Sequence, residues 1–449
     1  MLFPLALSAA NAALISYRDA APIFAALRED LYPQEFRGKR AAAIESAWPN
    51  WVASRYAAIR QRVTAGDEDS VVYFLLFGTS FTSAPRITSR ELATLALRPD
   101  AVVPSLPTRI DALMTALAGP RTPRIAERLG LVDDVLTSAG VYPVDDAGKR
   151  KARQYLDARV RAVAREGLQR LEAMADASGG ASTIFRDRGL ASDSAISTNF
   201  GVDRALADHQ SNARLRRGTI RRVAIVGPGL DVVDKQFGYD FYPPQTIQPF
   251  AVIDSLVRSG LAAEPLTVTT FDVSLRVNAH LITARERART GMPYTIVLTR
   301  DVQQSWAPEL IEYWNTFGSA IGSQGRSPMP PENAGQVEVR AVTIPPAIVR
   351  ELAVRDVNVV LEREAMAERD RFDLVIATNV LLYYDVFEQS LALANIGAML
   401  RTGGVLLSNT RLVELPGVPM AQAGHTDVVY TRLPGIGETG DRVFWYVRQ

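Results

Sequence analysis

Two short clusters carry the residues best suited to chemistry. The stretch RRVAIVGPGLDVVDK, residues 221–235, runs from charged to apolar residues and then into Gly227-Pro228-Gly229, the pattern of a buried strand emptying into a tight turn. Glycines there let the backbone approach a ligand closely, and a helix N-terminus after the turn favours a carboxylate or phosphate. The following strand-like run, LTVTTFDVS, ends at Asp272, where an acid can take both hydroxyls of a ribose. Each signal alone has a plain structural explanation: Gly-Pro-Gly is a common turn, Asp272 caps a helix beginning near Ser274, and Asp231 starts a helix. Together, a glycine turn after one strand and an acid after the next point to a ribose-bearing cofactor. The interval from Gly227 to Asp272 is about twice the ~20 residues of a compact nucleotide fold. Its extra length is DVVDKQFGYDFYPPQ, with Tyr239 and Tyr242, read as a functional lid or as a surface elaboration.

The elements that must hold these residues fall into two halves. Residues 1–215 read mainly as helix, with apolar residues three and four apart in APIFAALREDLY, KRAAAIESAWPNWVASRYAAIRQRV and SRELATLAL. The longest helical run, GKRKARQYLDARVRAVAREGLQRLEAMA, carries one stripe of Leu156, Val160, Val163, Leu168, Leu171 and Met174. VVYFLLFGTSFTS is ambiguous between a buried strand and a helix core. A Ser/Gly-rich connection, ASGGASTIFRDRGLASDSAISTNFG, marks the boundary, and a polar helix DRALADHQSNARLRRG follows it. Residues 216–449 alternate strand and helix. RVAIVG, LTVTTFD, YTIVLT, VEVRAVTIP, VNVVLERE, FDLVIATNV and GGVLLSN are the strand candidates, and TDVVYTRL with DRVFWYVRQ forms a terminal antiparallel hairpin. The expected fold is α/β: a Rossmann-like, doubly wound, mostly parallel sheet behind a helical N-terminal domain.

Composition removes several chemistries. The chain has no cysteine, which excludes disulfides, thiolate metal sites and a cysteine nucleophile. Three scattered histidines, His209, His280 and His425, lack ligand spacing, so no metal is expected. Fifty Lys and Arg balance 49 Asp and Glu, so no global field draws nucleic acid or an anionic membrane. The local clusters Arg214, Arg216, Arg217, Arg221, Arg222 and residues 149–170 read as solvated faces more economically than as an RNA surface. The N-terminal run ending near Ala10-Asn11-Ala12 lacks a preceding basic residue and is too short to span a bilayer. A buried first helix in a cytoplasmic protein is expected, with a signal peptide and export as the alternative.

Over residues 221–449 the sequence resembles the class I S-adenosylmethionine-dependent methyltransferases. The resemblance rests on VAIVGPG, FDVS, FDLVIATNVLLYYD, MLRTGGVLLSN and the terminal hairpin, and ATNVLLYYD is similar to the strand-four motif of chemotaxis-receptor methyltransferases. The glycine motif differs from that group's. The resemblance implies S-adenosylmethionine as cofactor, with Gly227, Pro228 and Gly229 against its methionine portion. It also implies that Asp272 and Val273 lie at the ribose, Thr378 and Asn379 face the sulfonium, and Asp231 accepts from the amino group. Methyl transfer is an in-line displacement, so positioning dominates and no covalent nucleophile is required. Tyr239, Tyr242, Tyr383 and Tyr384 are acceptor-pocket candidates, set against core packing of one tyrosine and helix capping by Asp385. FRDRGLASD is a closing-loop candidate, set against a solvated linker. Cytosine C5 is excluded by the missing cysteine, and Asn379-Val380-Leu381-Leu382 departs from the motif of amino-group DNA methylation. O, N or C acceptors on a small molecule or protein stay open. The helical half is read as a substrate cover, a docking module or a homodimer interface. The competing readings are an NAD(P)-dependent oxidoreductase, disfavoured by the missing third glycine, and a non-catalytic S-adenosylmethionine-binding protein.

Overall fold

The computed structural model describes residues 12–98, 100–175, 185–186, 188–192, 195–212, 214–234, 238–433 and 437–449, the side chains of 170–175 and 433 excepted. Ala10 and Asn11 of the N-terminal cleavage motif and the side chains of Leu171 and Met174 lie outside the described residues, and Ala12 opens a strand. A short strand β1 (Ala12–Leu14) leads into helices α1 (Tyr17–Ala26), α2 (Ala41–Phe77), α3 (Ser89–Leu97), α4 (Ser105–Ala118), α5 (Ala126–Ser138), α6 (Asp146–Ala175) and α7 (Ile196–Ser211). The run VVYFLLF is resolved as the end of α2, a single helix of 37 residues. It stops at Gly78, where Asp240 receives the amides of Thr79 and Ser80 at 2.6 and 3.0 Å.

The second half builds a seven-stranded sheet from β2 (Ile220–Val226), β3 (Ala262–Asp272), β7 (Leu352–Asp356), β9 (Phe372–Ile376), β10 (Leu400–Ser408), β11 (Met420–Leu433) and β12 (Gly437–Arg448), in the order β11-β12-β10-β9-β2-β3-β7. The first five are mutually parallel, and β12 and β11 close the edge as an antiparallel hairpin. Helices α8 (Gln248–Arg258), α9 (Leu275–Arg289) and α12 (Val386–Met399) connect the strands, with α10 (Pro308–Thr316) and α11 (Pro346–Arg350) in an insertion. This is the Rossmann-like α/β class expected from the alternation. The chain winds outward from β2 through β3 to β7, then returns to β9 on the other side of β2. Strand order therefore reverses between β2 and β9, where open parallel sheets place their ligands.

The alternation of β2 explains its burial on both faces. Val223 and Ile225 join one core cluster and Ala224 and Val226 the other. Helix α2 belongs to both. Ile44, Trp48, Val52 and Ile59 pack in the cluster of Ala224, whereas Val71, Val72, Phe74, Leu75 and Leu76 pack in that of Val223. The helix thus passes from one face of the sheet to the other across its carboxyl edge.

Three expectations are corrected. YTIVLT and VEVRAVTIP do form strands, β4 (Tyr294–Asp301) and β6 (Val337–Ile344). They pair antiparallel with each other and, through β6, with β5 (Ser323–Gln324), in a separate sheet outside the doubly wound one. The strand next to β3 is instead LAVRD, a run too short and too charged to stand out. VNVVLERE is mostly turn, and only its end, β8 (Glu362–Glu364), is extended, paired antiparallel with β1. No helix among the described residues is long and apolar enough to cross a membrane.

Candidate functional site

The turn after β2 has the backbone its glycines require. Gly227 and Gly229 lie at φ 64° and 72°, the left-handed region closed to most side chains. A Cβ on Gly227 would stand 2.6 Å from Val380 Cγ2, so the segment leaving β9 packs directly on the turn. The Gly227 amide donates to the Phe271 carbonyl at 2.8 Å, joining the turn to the end of β3. No helix follows immediately, which corrects the reading of Asp231 as a helix start. Instead Asp231 and Gln245 form an antiparallel bridge, and the Thr246 hydroxyl donates to the Gly229 carbonyl at 2.8 Å. The insertion is looped out, and the chain comes back to begin α8 beside the turn. Pro228 is buried.

Asp272 ends β3 and is 8% exposed. Its Oδ1 accepts the Ser274 amide at 2.7 Å, and its carbonyl accepts Asn278 Nδ2 at 3.0 Å. Ser274, not Asp272, is the cap of α9. Burial pushes the Asp272 carboxyl up to about 7; the neighbouring Asp356 charge adds to this, and Arg60 opposes it. Asp356 stands directly across from Asp272 in the β3–β7 register. Arg60, from α2, donates to the Val273 carbonyl, to Asp356 Oδ1 at 2.5 Å and to the Tyr56 hydroxyl at 2.7 Å. Two residues on, Arg62 donates to the carbonyls of Tyr383 at 2.8 Å, Phe185 at 3.2 Å and Arg188 at 3.0 Å. These two arginines escaped the sequence reading because AAIRQRV looks like any solvated helix face.

On the other side of the switch point, Thr378 is buried and its hydroxyl accepts Gln248 Nε2 at 2.9 Å. Asn379 is exposed at φ 58°, with its amide on Asn409 Oδ1 at 2.8 Å and its Nδ2 on Thr198 Oγ1 at 3.0 Å. Tyr383 meets Phe185 edge-on at 5.9 Å. Tyr384 is buried with the Arg62 guanidinium 5.6 Å above its ring, and burial holds its hydroxyl well above the ordinary phenol range. Asp385 caps α12 through a reciprocal pair with Glu388. Within FRDRGLASD, Asp187 and Asp193 lie outside the described residues. The rest is no solvated linker. Phe185, Leu190 and Ala191 pack into the core, the Leu190 amide binds the Arg62 carbonyl at 2.8 Å, and the Leu230 amide binds the Ser192 carbonyl. The segment lies between α2 and the glycine turn.

Asp231 is bonded by residues of the insertion. It is 4% exposed; Oδ2 accepts the Tyr242 hydroxyl at 3.0 Å and Gln245 Nε2 at 3.2 Å, while Oδ1 is buried without a hydrogen-bond partner. Burial, aided by Asp234, pushes its carboxyl up to about 7. It lines a small pocket, partly open to solvent, to which none of Gly227, Gly229, Asp272, Thr378 or Asn379 contributes. Tyr239, the other tyrosine of the insertion, is buried against Phe241, with Arg86 5.0 Å over its ring. Among the described residues no cluster of histidine or acidic side chains is arranged to hold a metal ion.

No protein-family model matches this chain, and no curated protein does. Solved structures do align with it. The N-methyltransferase NodS from Bradyrhizobium japonicum WM9 is 11% identical, covering 54% of this chain and 96% of its own, with a TM-score of 0.25. Magnesium protoporphyrin IX methyltransferase (ChlM) from Synechocystis PCC 6803, solved with bound S-adenosylmethionine, is 13% identical over 61% and 100%, at a TM-score of 0.28. TrmN from Thermus thermophilus is 13% identical over 56% and 53%, at 0.25. At these scores the alignments decide nothing about this chain, whose strand order stands on its own hydrogen bonds.

Proposed function

We propose that this chain is an S-adenosylmethionine-dependent methyltransferase of the class I type. The observation that carries the reading is the carboxyl edge of the sheet: two left-handed glycines at the strand-order reversal, with a buried, under-compensated acid ending the next strand. The residues present fit the cofactor's chemistry. Asp272 is a carboxylate held in low dielectric, and two ribose hydroxyls would return the hydrogen bonds that burial took from it. The glycine turn gives the methionine portion a floor without Cβ atoms, and Val273, Thr378 and Asn379 flank the rest.

When bound, S-adenosylmethionine supplies an electrophilic methyl carbon on a sulfonium; the protein's part is placement. Arg60 fixes Val273 and Asp356, so the ribose edge is set before binding. Helix α2 and residues 185–186 and 188–192 lie over the carboxyl edge. The acceptor atom is O, N or C on a small molecule or protein. Calorimetry with S-adenosylmethionine, S-adenosylhomocysteine and NAD tests the reading. Binding of both sulfur ligands and not of NAD is expected, and failure of both sulfur ligands to bind overturns it.

A further inference from the structure

Where a helix begins directly after a glycine turn, its own hydrogen-bond ladder holds the turn's peptides. Here the insertion intervenes, and side chains hold the turn instead. The Gly229 carbonyl accepts the Thr246 hydroxyl at 2.8 Å, and two residues on Gln248 Nε2 donates to the Thr378 hydroxyl at 2.9 Å. Both Thr246 and Gln248 are buried. The segment 246–248 therefore clips the glycine turn to the exit of β9, the two flanks of the strand-order reversal.

Thr246 is itself fixed by a chain of three side chains from three parts of the fold. Its amide donates to the hydroxyl oxygen of Tyr294, the first residue of β4, at 2.8 Å. That hydroxyl lies 2.8 Å from Nε2 of His280 on α9, and His280 Nδ1 lies 3.0 Å from Oε1 of Glu127 on α5. The donors sort themselves. An amide N–H can only donate, so the phenol oxygen accepts from Thr246 and its O–H is left for Nε2. A carboxylate can only accept, so Nδ1 carries the imidazole proton. Burial alone would raise the Glu127 carboxyl, but His280, Arg128 and Arg276 hold it below its ordinary value, which keeps it an ionised acceptor. The Tyr294 ring stacks on Phe250 of α8 at 5.0 Å and meets the His280 ring edge-on at 5.9 Å. With its hydroxyl committed on both sides, Tyr294 acts by placing Thr246 and not as a nucleophile.

We propose that Glu127, His280 and Tyr294 are positioning residues for the cofactor: through Thr246 they set the Gly229 carbonyl, and with it the floor under the methionine portion of S-adenosylmethionine. The assignment rests on the methyltransferase reading and brings the helical half into it, because Glu127 belongs to α5.

The test is calorimetry of the whole chain with S-adenosylhomocysteine, beside thermal melts and nitrogen NMR of the imidazoles, of which the chain has three. Tyr294→Phe keeps the ring but leaves the Thr246 amide without its acceptor, and should weaken binding about fivefold or more. Thr246→Val should do the same, whereas Thr246→Ser should stay within about twofold of wild type. Glu127→Ala should weaken binding about threefold, with Glu127→Gln, whose amide oxygen still accepts Nδ1–H, restoring it to within about twofold. Wild-type His280 should show the Nδ1-protonated tautomer at neutral pH, and Glu127→Ala should lose that preference. Val163→Ala, in the buried face of α6 and outside this chain of bonds, is the control for lost stability alone and should leave affinity unchanged.

Wild-type protein that binds S-adenosylhomocysteine no better than Tyr294→Phe overturns the proposal and leaves the methyltransferase reading standing. So does an Nε2-protonated His280, or a loss in Val163→Ala equal to that of Tyr294→Phe at matched melting temperature. Wild-type protein with the Nδ1 tautomer and no affinity for S-adenosylhomocysteine refutes the methyltransferase reading, and the cofactor role of these residues with it.

Discussion

Replacing Asp272 by asparagine should give a protein that is no less stable and yet loses most of its affinity for the cofactor. Hydrogen bonds to a charged group contribute about 1.5–3 kcal/mol each. Asparagine keeps one acceptor oxygen, which the Ser274 amide already uses in the wild type. Losing the carboxylate's bonds to two ribose hydroxyls should therefore cost about 3–6 kcal/mol, or roughly 150- to 25,000-fold in Kd for S-adenosylhomocysteine. The sign of the pH dependence follows from the carboxyl, pushed up to about 7 by burial in the free protein. Ribose hydroxyls favour the ionised form, so wild-type affinity should fall about tenfold from pH 8 to pH 6, and the variant's should stay flat. Stability runs the other way. The folded pKa lies above the ordinary value of 3.8, so the folded state binds the proton more tightly and loses stability as pH rises from about 4 to about 7. Asparagine removes that cost, and at pH 8 the variant should melt at or above the wild type. Calorimetry at three pH values, with thermal melts beside it, measures both quantities. An unchanged Kd in a folded variant, or a wild-type Kd flat from pH 8 to pH 6, would refute the ribose role.

Other perturbations probe neighbouring parts of the same framework. Arg60→Met removes the cation that opposes the rise of the Asp272 carboxyl, so the pH midpoint for S-adenosylhomocysteine binding should move upward, with partial rescue by Arg60→Lys. Gly227→Ala places a Cβ 2.6 Å from Val380 at φ 64° and should destabilise by about 1–3 kcal/mol in urea melts. Adding Val380→Ala should return part of that loss. His209 is fully buried, and burial, helped by Arg214, lowers its pKa to about 4. Because the unfolded state takes the proton first, stability should drop by about 2 kcal/mol from pH 7 to pH 5, and His209→Leu should flatten that slope.

The sheet was legible because parallel strands buried on both faces read as apolar runs bounded by glycine and acid, as in RVAIVGPG and FDLVIATN. LAVRD was not, because an edge strand carries charge and needs few apolar residues. YTIVLT was legible as a strand but not as belonging to another sheet, since pairing partners leave no mark on a strand's own pattern. At the site, Asp272 and the glycine turn were visible because their role follows from local backbone position. Arg60 and Arg62 were invisible because theirs depends on where α2 docks, a tertiary fact with no local signature. The return of Thr246 to Gly229 is likewise a closure across the looped-out insertion, which no periodicity encodes.

The pairing of Ala12–Leu14 with Glu362–Glu364 has a consequence for biosynthesis. At about 5–20 residues per second, a ribosome needs roughly 20–70 s to deliver the partner strand after the first has emerged. Throughout that interval β1 is an unpaired strand, and Phe24, Trp48 and Trp51 lack Phe387, the ring they later surround. The nascent helical segment therefore exposes an aromatic surface of the kind that holdase chaperones recognise, until the last third of the chain arrives to cover it.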